Sequence, residues 1–271
     1  MRSFAARFLA AAALFGPALH PAASAEQIVK FASAAPRSQH AEASNGGPDI
    51  QGYLTKPRGD GPAAAIVLLH SCLGLPADRR SIGEMFARWG YVALFVDDFT
   101  TRSLEQTCAV DFPQGLADGF GALAFLSTLP YVDPTRIATI GWSQGADTAL
   151  EIASSRPESF AVPDGLRFKA AAAFYPPCDN RADAALRIPT LILIGGSDAV
   201  TPAADCERLA KQQPGDRSVK LVVYPGADHE FDNREFAGGK SLFGMWLKYD
   251  SDAAKRSRAD LRDFLAAKLA R

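Results

Sequence analysis

Short runs of apolar residues alternate with amphipathic segments along most of the chain. An uninterrupted apolar run is typical of a strand buried on both faces of a sheet, whereas apolar residues at helical spacing indicate an amphipathic helix. The pattern predicts strands at residues 63–69, 91–96, 136–140, 170–175, 190–194 and 219–224. It predicts helices at residues 81–89 and 116–126, and further helices that begin near residues 146, 202 and 251.

This alternation of strands and helices predicts an α/β protein with a mostly parallel central sheet and helices on both faces. Residues 27–32 and 49–54 are expected to add a leading antiparallel hairpin, whose strands are separated by a polar segment. No repeat or interdomain linker interrupts the pattern, so residues 26–271 are expected to form a single domain.

Local signals predict where two of the helices begin and end. Ser81 and Glu84 have the spacing of a capping box, and Gly90 is a stop signal for the same helix. The buried face of this helix is predicted to carry Ile82, Met85, Phe86 and Trp89. Thr201 is expected to cap a later helix that begins at Pro202. Proline is tolerated at this first position because the N–H it lacks would be unpaired there anyway.

The N-terminus is typical of an export signal. Two arginines precede the apolar stretch 8–15, and residues 23–25 (Ala-Ser-Ala) offer a small-residue cleavage site. Such a segment is too short for a membrane span, so residues 1–25 are expected to be a secretory signal peptide. We expect cleavage after Ala25 and a periplasmic or secreted product without stable membrane association.

The charge of the mature chain bears on whether it binds nucleic acid. Removing the two signal-peptide arginines from the 29 basic residues leaves 27 against 30 acidic side chains, a formal charge of −3. No basic cluster stands out, which argues against a nucleic-acid partner. The sequence assigns no oligomeric state.

The sequence Gly-Trp-Ser-Gln-Gly occupies residues 141–145, where a predicted strand ends and a predicted helix begins. The pattern G-x-S-x-G at such a turn is typical of a nucleophile elbow, in which a sharp turn presents the serine hydroxyl to a cleft. In a parallel sheet the reactive groups collect at the carboxyl ends of the strands. Ser143 is therefore the candidate nucleophile.

A serine hydroxyl is a poor nucleophile near neutral pH and needs a general base, normally an imidazole. Outside the signal peptide the chain has the histidines His40, His70 and His229. His229 directly follows the last predicted strand, where the chain order serine, acid, histidine requires the base. His40 and His70 precede Ser143, so His229 is the candidate base.

The carboxylate that orients the imidazole is expected between Ser143 and His229 in the chain. Asp198 follows the fifth main predicted strand and is the favoured candidate. Asp179 follows the strand before it and is the rival. Asp228 is adjacent to His229 and is too close in sequence to orient it.

The oxyanion of a tetrahedral intermediate needs backbone N–H donors. One is expected from Gln144, the residue after the candidate nucleophile. The other is expected from Cys72, in the loop that follows the first main strand, where Gly74 allows the chain to turn back toward the site.

The cysteines are Cys72, Cys108, Cys178 and Cys206, and they show no C-x-x-C spacing, which argues against a metal site. In an oxidising compartment an even number suggests two disulfides, for which three connectivities exist. The alternative is that all are buried as small apolar side chains.

Several segments of the chain resemble the dienelactone hydrolase family of α/β-hydrolases. They are HSCLGL at 70–75, YVALFVDDF at 91–99, GWSQG at 141–145, LILIGGSDAVTP at 191–202 and YPGADHEFDN at 224–233. The resemblance covers roughly residues 50–269 and implies the α/β-hydrolase fold.

The chain also departs from the family pattern. Dienelactone hydrolase itself has a cysteine nucleophile and a glutamate in the oxyanion loop, whereas this chain has Ser143 and Ser71 at those positions. Both differences point toward a serine esterase. The segment Asp-Asp-Phe-Thr-Thr-Arg resembles the family's Asp-Leu-Tyr-Ala-Arg and implies that Arg102 contacts a substrate carboxylate, with Arg234 assisting. The alternative is that both arginines are solvated surface residues.

The resemblance further implies how the cysteines pair. The resemblance to exported members of the family implies the pairs Cys72–Cys108 and Cys178–Cys206, each beside neighbouring strand ends.

Residues 234–250 form an insertion between His229 and the final helix. We interpret it either as a flap over the acyl pocket or as a partly ordered loop that packs Phe243 and Trp246 against the core.

Together these features predict an exported serine hydrolase that cleaves carboxylic esters or lactones through an acyl-enzyme, with Ser143, His229 and Asp198 as its triad. A small-molecule ester or lactone is the expected partner, and this chemistry calls for no metal or organic cofactor. A peptidase or acyltransferase with the same triad is an alternative, because the choice of acceptor depends on pocket shape and water access. A non-catalytic binding protein on the same fold is the third interpretation.

Overall fold

A computed structural model describes residues 25–37, 47–59, 61–110, 112, 114–181, 183–214 and 219–271. The predicted signal peptide, apart from Ala25, and His40 lie outside the described residues.

The centre of the fold is an eight-stranded sheet with the strand order β1-β2-β4-β3-β5-β6-β7-β8. The strands are β1 Gln27–Ala32, β2 Asp49–Thr55, β3 Ala63–Leu69, β4 Val92–Asp97, β5 Val132–Trp142, β6 Ala170–Phe174, β7 Thr190–Gly195 and β8 Val219–Tyr224. The predicted leading hairpin is confirmed, since β1 pairs antiparallel with β2, and β2 pairs antiparallel with β4. All later pairings in this sheet are parallel.

Helices cover both faces of this sheet. They are α1 Arg79–Arg88, α2 Gly115–Ser127, α3 Gln144–Ser154, α4 Ala203–Gln212 and α5 Ser251–Lys268. Successive residues of a strand face opposite sides, so Ile66 and Leu68 of β3 pack with α1 and α5, while Ala65 and Val67 pack with α2. This arrangement confirms the predicted α/β class. Among the described residues, no helix combines the length and the apolar character that crossing a bilayer requires.

The predicted capping signals are only partly correct. α1 begins at Arg79, with Asp78 at its N-cap and the Ile82 N–H donating to the Asp78 carbonyl, so Ser81 falls inside the first turn and the capping-box prediction is wrong. Gly90 does follow the helix end, with a φ of 91° that favours glycine. The Thr201 hydroxyl bonds an aspartate instead of capping α4, which begins at Ala203.

The insertion at 234–250 contains a 3₁₀ turn, Arg234–Phe236, and a hairpin of β9 Lys240–Leu242 and β10 Met245–Leu247. The prediction that Phe243 and Trp246 pack against the core is wrong, since they are 56% and 46% exposed. Leu247 is buried instead, and alternation along the strand turns Trp246 toward solvent.

The turn between β5 and α3 depends on two glycines. A Cβ atom at Gly141 would collide with the backbone of Gly145, and one at Gly145 would collide with the carbonyl oxygens of Leu69 and His70. The start of α3 therefore lies directly against the end of β3, at backbone-to-backbone distance.

We expect Gly145→Ala to lower the free energy of unfolding by about 1–3 kcal/mol or more, because the backbone must shift to admit the methyl group. Gly238→Ala is the matched control, since a Cβ at Gly238 has open space around it. Urea unfolding followed by circular dichroism measures both variants. Equal unfolding midpoints would show that the close approach does not constrain this turn.

Candidate active site

Ser143 lies at the tip of the turn between β5 and α3, in a strained backbone conformation. Its φ is 49° and its ψ is −113°, which a residue with a side chain rarely adopts. The Ser143 N–H donates to the Phe174 carbonyl at 3.0 Å, so the neighbouring strand β6 holds the turn. The predicted strand-turn-helix context of the serine is therefore present.

The structure brings the three predicted residues into one hydrogen-bonded row. The His229 Nε2 atom lies 3.0 Å from the Ser143 Oγ atom. The Nδ1 atom of the same ring lies 2.8 Å from the Asp198 Oδ2 atom. All three side chains are buried. A proton can therefore pass from the hydroxyl to an imidazole whose other nitrogen faces a carboxylate.

The Asp198 carboxylate is held by its own loop. Its Oδ1 atom accepts from the backbone N–H groups of Val200 and Thr201 at 2.9 and 2.8 Å. Its Oδ2 atom accepts from the Thr201 hydroxyl at 3.0 Å. The rival Asp179 is exposed in the 3₁₀ turn Cys178–Arg181 and takes no part in this row of contacts.

Thr201 is a contributor that the sequence analysis missed. Besides the contact with Asp198, its hydroxyl lies 3.2 Å from the His229 Nδ1 atom and 3.2 Å from the Tyr175 carbonyl oxygen. The Asp-x-x-Thr spacing was available in the sequence, but the same threonine also fitted a helix cap. Only the position of α4 distinguishes the two uses.

His229 is fixed through its backbone as well as its ring. Its carbonyl accepts from the Lys248 N–H at 3.0 Å, and it forms a parallel bridge with Leu247 of β10. The Tyr175 ring packs on the imidazole with a centroid distance of 4.6 Å. The exposed hairpin is thus joined directly to the candidate base.

Tyr175 connects the imidazole to two further carboxyl groups. Its hydroxyl lies 2.8 Å from Asp232 Oδ1 and 3.3 Å from Glu230 Oε2, and the Trp142 ring N–H donates to Asp232. Burial raises the pKa of Glu230 and of Asp232 above the ordinary carboxyl range. Burial and these two carboxylates raise the pKa of the Tyr175 phenol well above its ordinary value. The Tyr175 hydroxyl therefore stays protonated and donates a hydrogen bond.

The two predicted oxyanion donors lie on segments that are joined to each other. The Thr107 N–H donates to the Cys72 carbonyl at 2.9 Å, and the Thr107 hydroxyl donates to the Gln144 side chain at 2.7 Å. Within the described parts of the chain, the backbone N–H groups of Cys72 and Gln144 have no acceptor. Both groups are therefore free for an oxygen of a bound molecule.

The structure contains the disulfides Cys72–Cys108 and Cys178–Cys206, the two pairs that the family resemblance implied. The first joins the predicted oxyanion loop to the segment after β4. The second joins the loop after β6 to α4, beside the segment that carries Asp198. Each disulfide thus connects a loop of the candidate site to another part of the fold.

A cavity of about 730 Å³ lies between α1, α5, the loop after β3 and the loop after His229. Ser71, Trp142, Tyr175 and Glu230 form part of its wall, whereas Ser143 and His229 themselves do not. The cavity therefore lies next to the hydrogen-bonded row of Ser143, His229 and Asp198, on the side of Trp142.

The two arginines implied as carboxylate ligands lie in different settings. The Arg102 guanidinium pairs with both oxygens of Asp118 at 2.9 Å and bonds the Asp98 carbonyl. Asp118 lies on α2 and is fully buried, so Arg102 already has a protein carboxylate as its partner. Arg102 is absent from the cavity wall, and the exposed Arg234 is part of it. The expected contact of Arg102 with a substrate carboxylate is therefore not supported by its position.

The sheet order, the serine at the turn after β5 and the histidine after β8 together define an α/β-hydrolase. Comparison with known families matches residues 50–269 to the Dienelactone hydrolase family, and the chain belongs to this family. It is accordingly a hydrolase of the carboxylic ester class.

Individual relatives match most of the chain. The chain is 32% identical over 214 residues to an uncharacterised protein of Mycobacterium tuberculosis, covering 72% of each chain. It is 26% identical over 207 residues to Cutinase 1 of Thermobifida cellulosilytica, covering 73% of this chain and 72% of the cutinase. The solved dienelactone hydrolase of Anabaena variabilis matches with a TM-score of 0.60 and 20% identity, over 90% of this chain and 99% of the other, which supports the fold.

We expect loss of either disulfide to lower the free energy of unfolding by about 2–4 kcal/mol, because each closes a loop, of 36 and 28 residues, in the unfolded chain. The paired variants are Cys72→Ala/Cys108→Ala and Cys178→Ala/Cys206→Ala. Urea unfolding gives the loss, and peptide mapping without reductant identifies the pairs in the wild type. Free thiols or a different pairing in that map would contradict the structure.

We expect Arg102→Met to destabilise the fold by roughly 3–5 kcal/mol, because it leaves the buried Asp118 carboxylate without its cation. Burial raises the pKa of Asp118, and Arg102 opposes that rise. Without Arg102 the folded pKa rises further, so stability is recovered as the pH falls through it and Asp118 becomes protonated. Thermal unfolding between pH 8 and pH 4 measures the difference.

The matched control is Arg234→Met, which removes an exposed guanidinium and is expected to change stability little. Adding Asp118→Asn to Arg102→Met should restore part of the loss, since it removes the unpaired charge. Similar losses for the two single variants at every pH would refute the structural role of Arg102.

Proposed function

We propose that this protein is an exported serine hydrolase that cleaves carboxylic esters or lactones through an acyl-enzyme. The main support for this proposal is the pair of contacts that His229 makes, one with the Ser143 hydroxyl at 3.0 Å and one with the Asp198 carboxylate at 2.8 Å. In this proposal Ser143 is the nucleophile, His229 the general base and acid, and Asp198 the residue that fixes the imidazole tautomer.

The first half of the reaction forms the acyl-enzyme. Ser143 Oγ attacks the carbonyl carbon of the substrate while its proton moves to His229 Nε2. The carbonyl oxygen becomes negative and accepts from the N–H groups of Cys72 and Gln144. His229 then gives the proton to the leaving alcohol oxygen as the bond between that oxygen and the carbon breaks.

The second half releases the acid. A water molecule loses a proton to His229 and attacks the acyl carbon, and the same donors hold the oxyanion. The proton then returns to Ser143 Oγ as the acyl–serine bond breaks. No step requires a metal or an organic cofactor.

The substrate class follows from the nucleophile and the surroundings of the site. Ser143 and Ser71 stand where dienelactone hydrolase has cysteine and glutamate, so we place simple carboxylic esters before dienelactone. The relative named as a cutinase supports an ester substrate. The cavity beside Trp142 offers room for an acyl or alcohol group of a small molecule. The position of Arg102 gives no support for an anionic substrate.

The localisation forms part of the proposal. We place residues 1–25 as a signal peptide and residues 26–271 as one catalytic domain in the periplasm or the medium. The two disulfides support an oxidising compartment, since such bonds persist there and are rare in the cytosol.

The test compares purified mature wild type with Ser143→Ala, Asp198→Asn and Asp179→Asn. A fluorophosphonate probe followed by intact mass should add one adduct to the wild type and none to Ser143→Ala. Asp198→Asn should lower kcat on short p-nitrophenyl esters by about 10⁴-fold, because the imidazole loses its orienting carboxylate. Asp179→Asn is the matched control and should keep the wild-type rate.

The alternatives give different results. Labelling of Ser143 without ester hydrolysis would favour the peptidase or acyltransferase interpretation, which peptide substrates and added alcohol acceptors then separate. A wild type that is neither labelled nor active would refute the hydrolase proposal and favour a binding protein on this fold.

A further inference from the structure

His70 is a buried titratable residue that the proposed mechanism does not use. It follows β3 as the first residue of the loop that carries Cys72, and it is 6% exposed. Its Nδ1 atom lies 2.8 Å from the carbonyl oxygen of Ser71. Its Nε2 atom lies 2.6 Å from Asp98 Oδ1, just after β4. The ring is thus placed between the oxyanion loop and a carboxylate.

These two contacts determine where the protons lie. A carbonyl oxygen can only accept, so Nδ1 must carry a hydrogen. The Nε2 atom lies 2.6 Å from a carboxylate oxygen without the alignment of a hydrogen bond; at this distance a lone pair on Nε2 would be repelled, whereas a protonated Nε2 is attracted. A neutral imidazole has a single N–H, whereas the imidazolium has two. The contacts with Ser71 and Asp98 therefore fit the imidazolium form of His70.

The charges around the ring favour the same form. Asp98, and to a lesser extent Asp97, attract a positive charge on the ring from the end of β4, and Phe99 packs its ring edge-to-face at 4.4 Å. The nearby Arg102 contacts the Asp98 carbonyl, but its charge is matched by Asp118. Burial lowers the pKa of His70, but Asp98, Ser71 and Asp97 outweigh burial and raise the pKa above its ordinary value.

The Ser71 carbonyl matters because it shares a peptide group with the Cys72 N–H. That group is planar and trans, so its C=O and N–H point in opposite directions. The Ser71 oxygen accepts from His70 Nδ1 at 2.8 Å and from the Gly74 N–H at 3.0 Å. Holding the oxygen in this way sets the direction of the Cys72 N–H.

We propose that His70, as an imidazolium paired with Asp98, is a positioning residue that fixes the Ser71 carbonyl and so aims the Cys72 N–H at the oxyanion. This inference rests on the proposed ester hydrolysis. When His70 loses a proton, the remaining one stays with the Asp98 carboxylate, the stronger acceptor, and the contact with Ser71 is lost. The oxyanion donor then loses its alignment.

The protonation of His70 is tested without any substrate. Mature protein with ¹⁵N-labelled histidine contains His40, His70 and His229, and the spectrum of Asp98→Asn together with that of His70→Asn assigns the His70 signals. We expect both ring nitrogens of His70 to carry a proton at pH 7 in the wild type. In Asp98→Asn we expect a neutral ring at that pH. A neutral His70 in the wild type would overturn the proposal.

The effect on catalysis is tested with His70→Leu and His70→Asn. We expect His70→Leu to lower kcat on a short ester by about 10²-fold with KM within twofold, because the oxyanion donor acts mainly in the transition state. His70→Asn keeps a neutral donor near Nδ1 and should recover part of the rate. A kcat of His70→Leu within twofold of wild type would overturn the positioning role.

The pH profile distinguishes positioning from a structural effect on folding. Because the folded pKa of His70 is raised, its contribution is present at lower pH and is lost as the pH rises through that value. In Asp98→Asn the carboxylate that competes for the last ring proton is gone, so the neutral ring keeps its Nδ1–H on the Ser71 carbonyl and this alkaline fall of kcat should be absent. Asp133→Asn, which removes a half-buried ion pair with Arg136 near the opposite end of β5, should keep the wild-type profile.

The outcomes separate this inference from the proposed function. Identical alkaline limbs in wild type and Asp98→Asn would overturn the role of His70 while leaving the hydrolase intact. A wild type without esterase activity would refute the proposed function and the positioning role with it. The NMR result would then still decide whether His70 is an imidazolium.

Discussion

The candidate site depends on one close approach, that of the start of α3 to the end of β3. Gly145 lies against the carbonyl groups of Leu69 and His70, where a side chain would collide. This contact puts the elbow serine beside the loop that carries Cys72, two segments that are far apart in sequence. Without it, the elbow serine would lie away from the loop whose Cys72 N–H is the proposed oxyanion donor. The glycines of the motif are therefore as much a part of the site as the serine.

Loops supply the rest of the site, and each is joined to something more rigid. The segment after β4 is joined to the oxyanion loop by the Cys72–Cys108 disulfide and by the Thr107 contacts. The loop of Asp198 is closed on itself by Thr201, and His229 is bridged to Leu247. These contacts hold the loops in place, so the site needs little reorganisation when a substrate binds. The parallel sheet sets where the loops meet, and these contacts set their geometry.

The sequence predicted those features that follow from local periodicity and chain order. Parallel strands are continuous apolar runs, and the order Ser143, Asp198, His229 follows from the strand ends on which they lie. Features that depend on a distant partner were not predictable. The family resemblance implied a substrate contact for Arg102, and no local pattern revealed its partner Asp118, which lies on another element. Thr201 fitted a helix cap equally well. Trp246 was expected to be buried because it is apolar. Apolar character alone does not show which face of a strand a residue occupies, and the alternation along β10 turns Trp246 toward solvent.

Three carboxyl groups lie near His229, and their surroundings give them different roles. Asp198 accepts from two backbone N–H groups and a hydroxyl, which stabilise a negative charge facing Nδ1. Glu230 and Asp232 share the single hydroxyl proton of Tyr175, and burial raises the pKa of both. Their hydrogen bonds are made with Tyr175, Trp142 and Asn233, whereas Asp198 bonds the imidazole directly. The histidine is therefore oriented toward Asp198 on one side and remains free to exchange its Nε2 proton with Ser143 on the other.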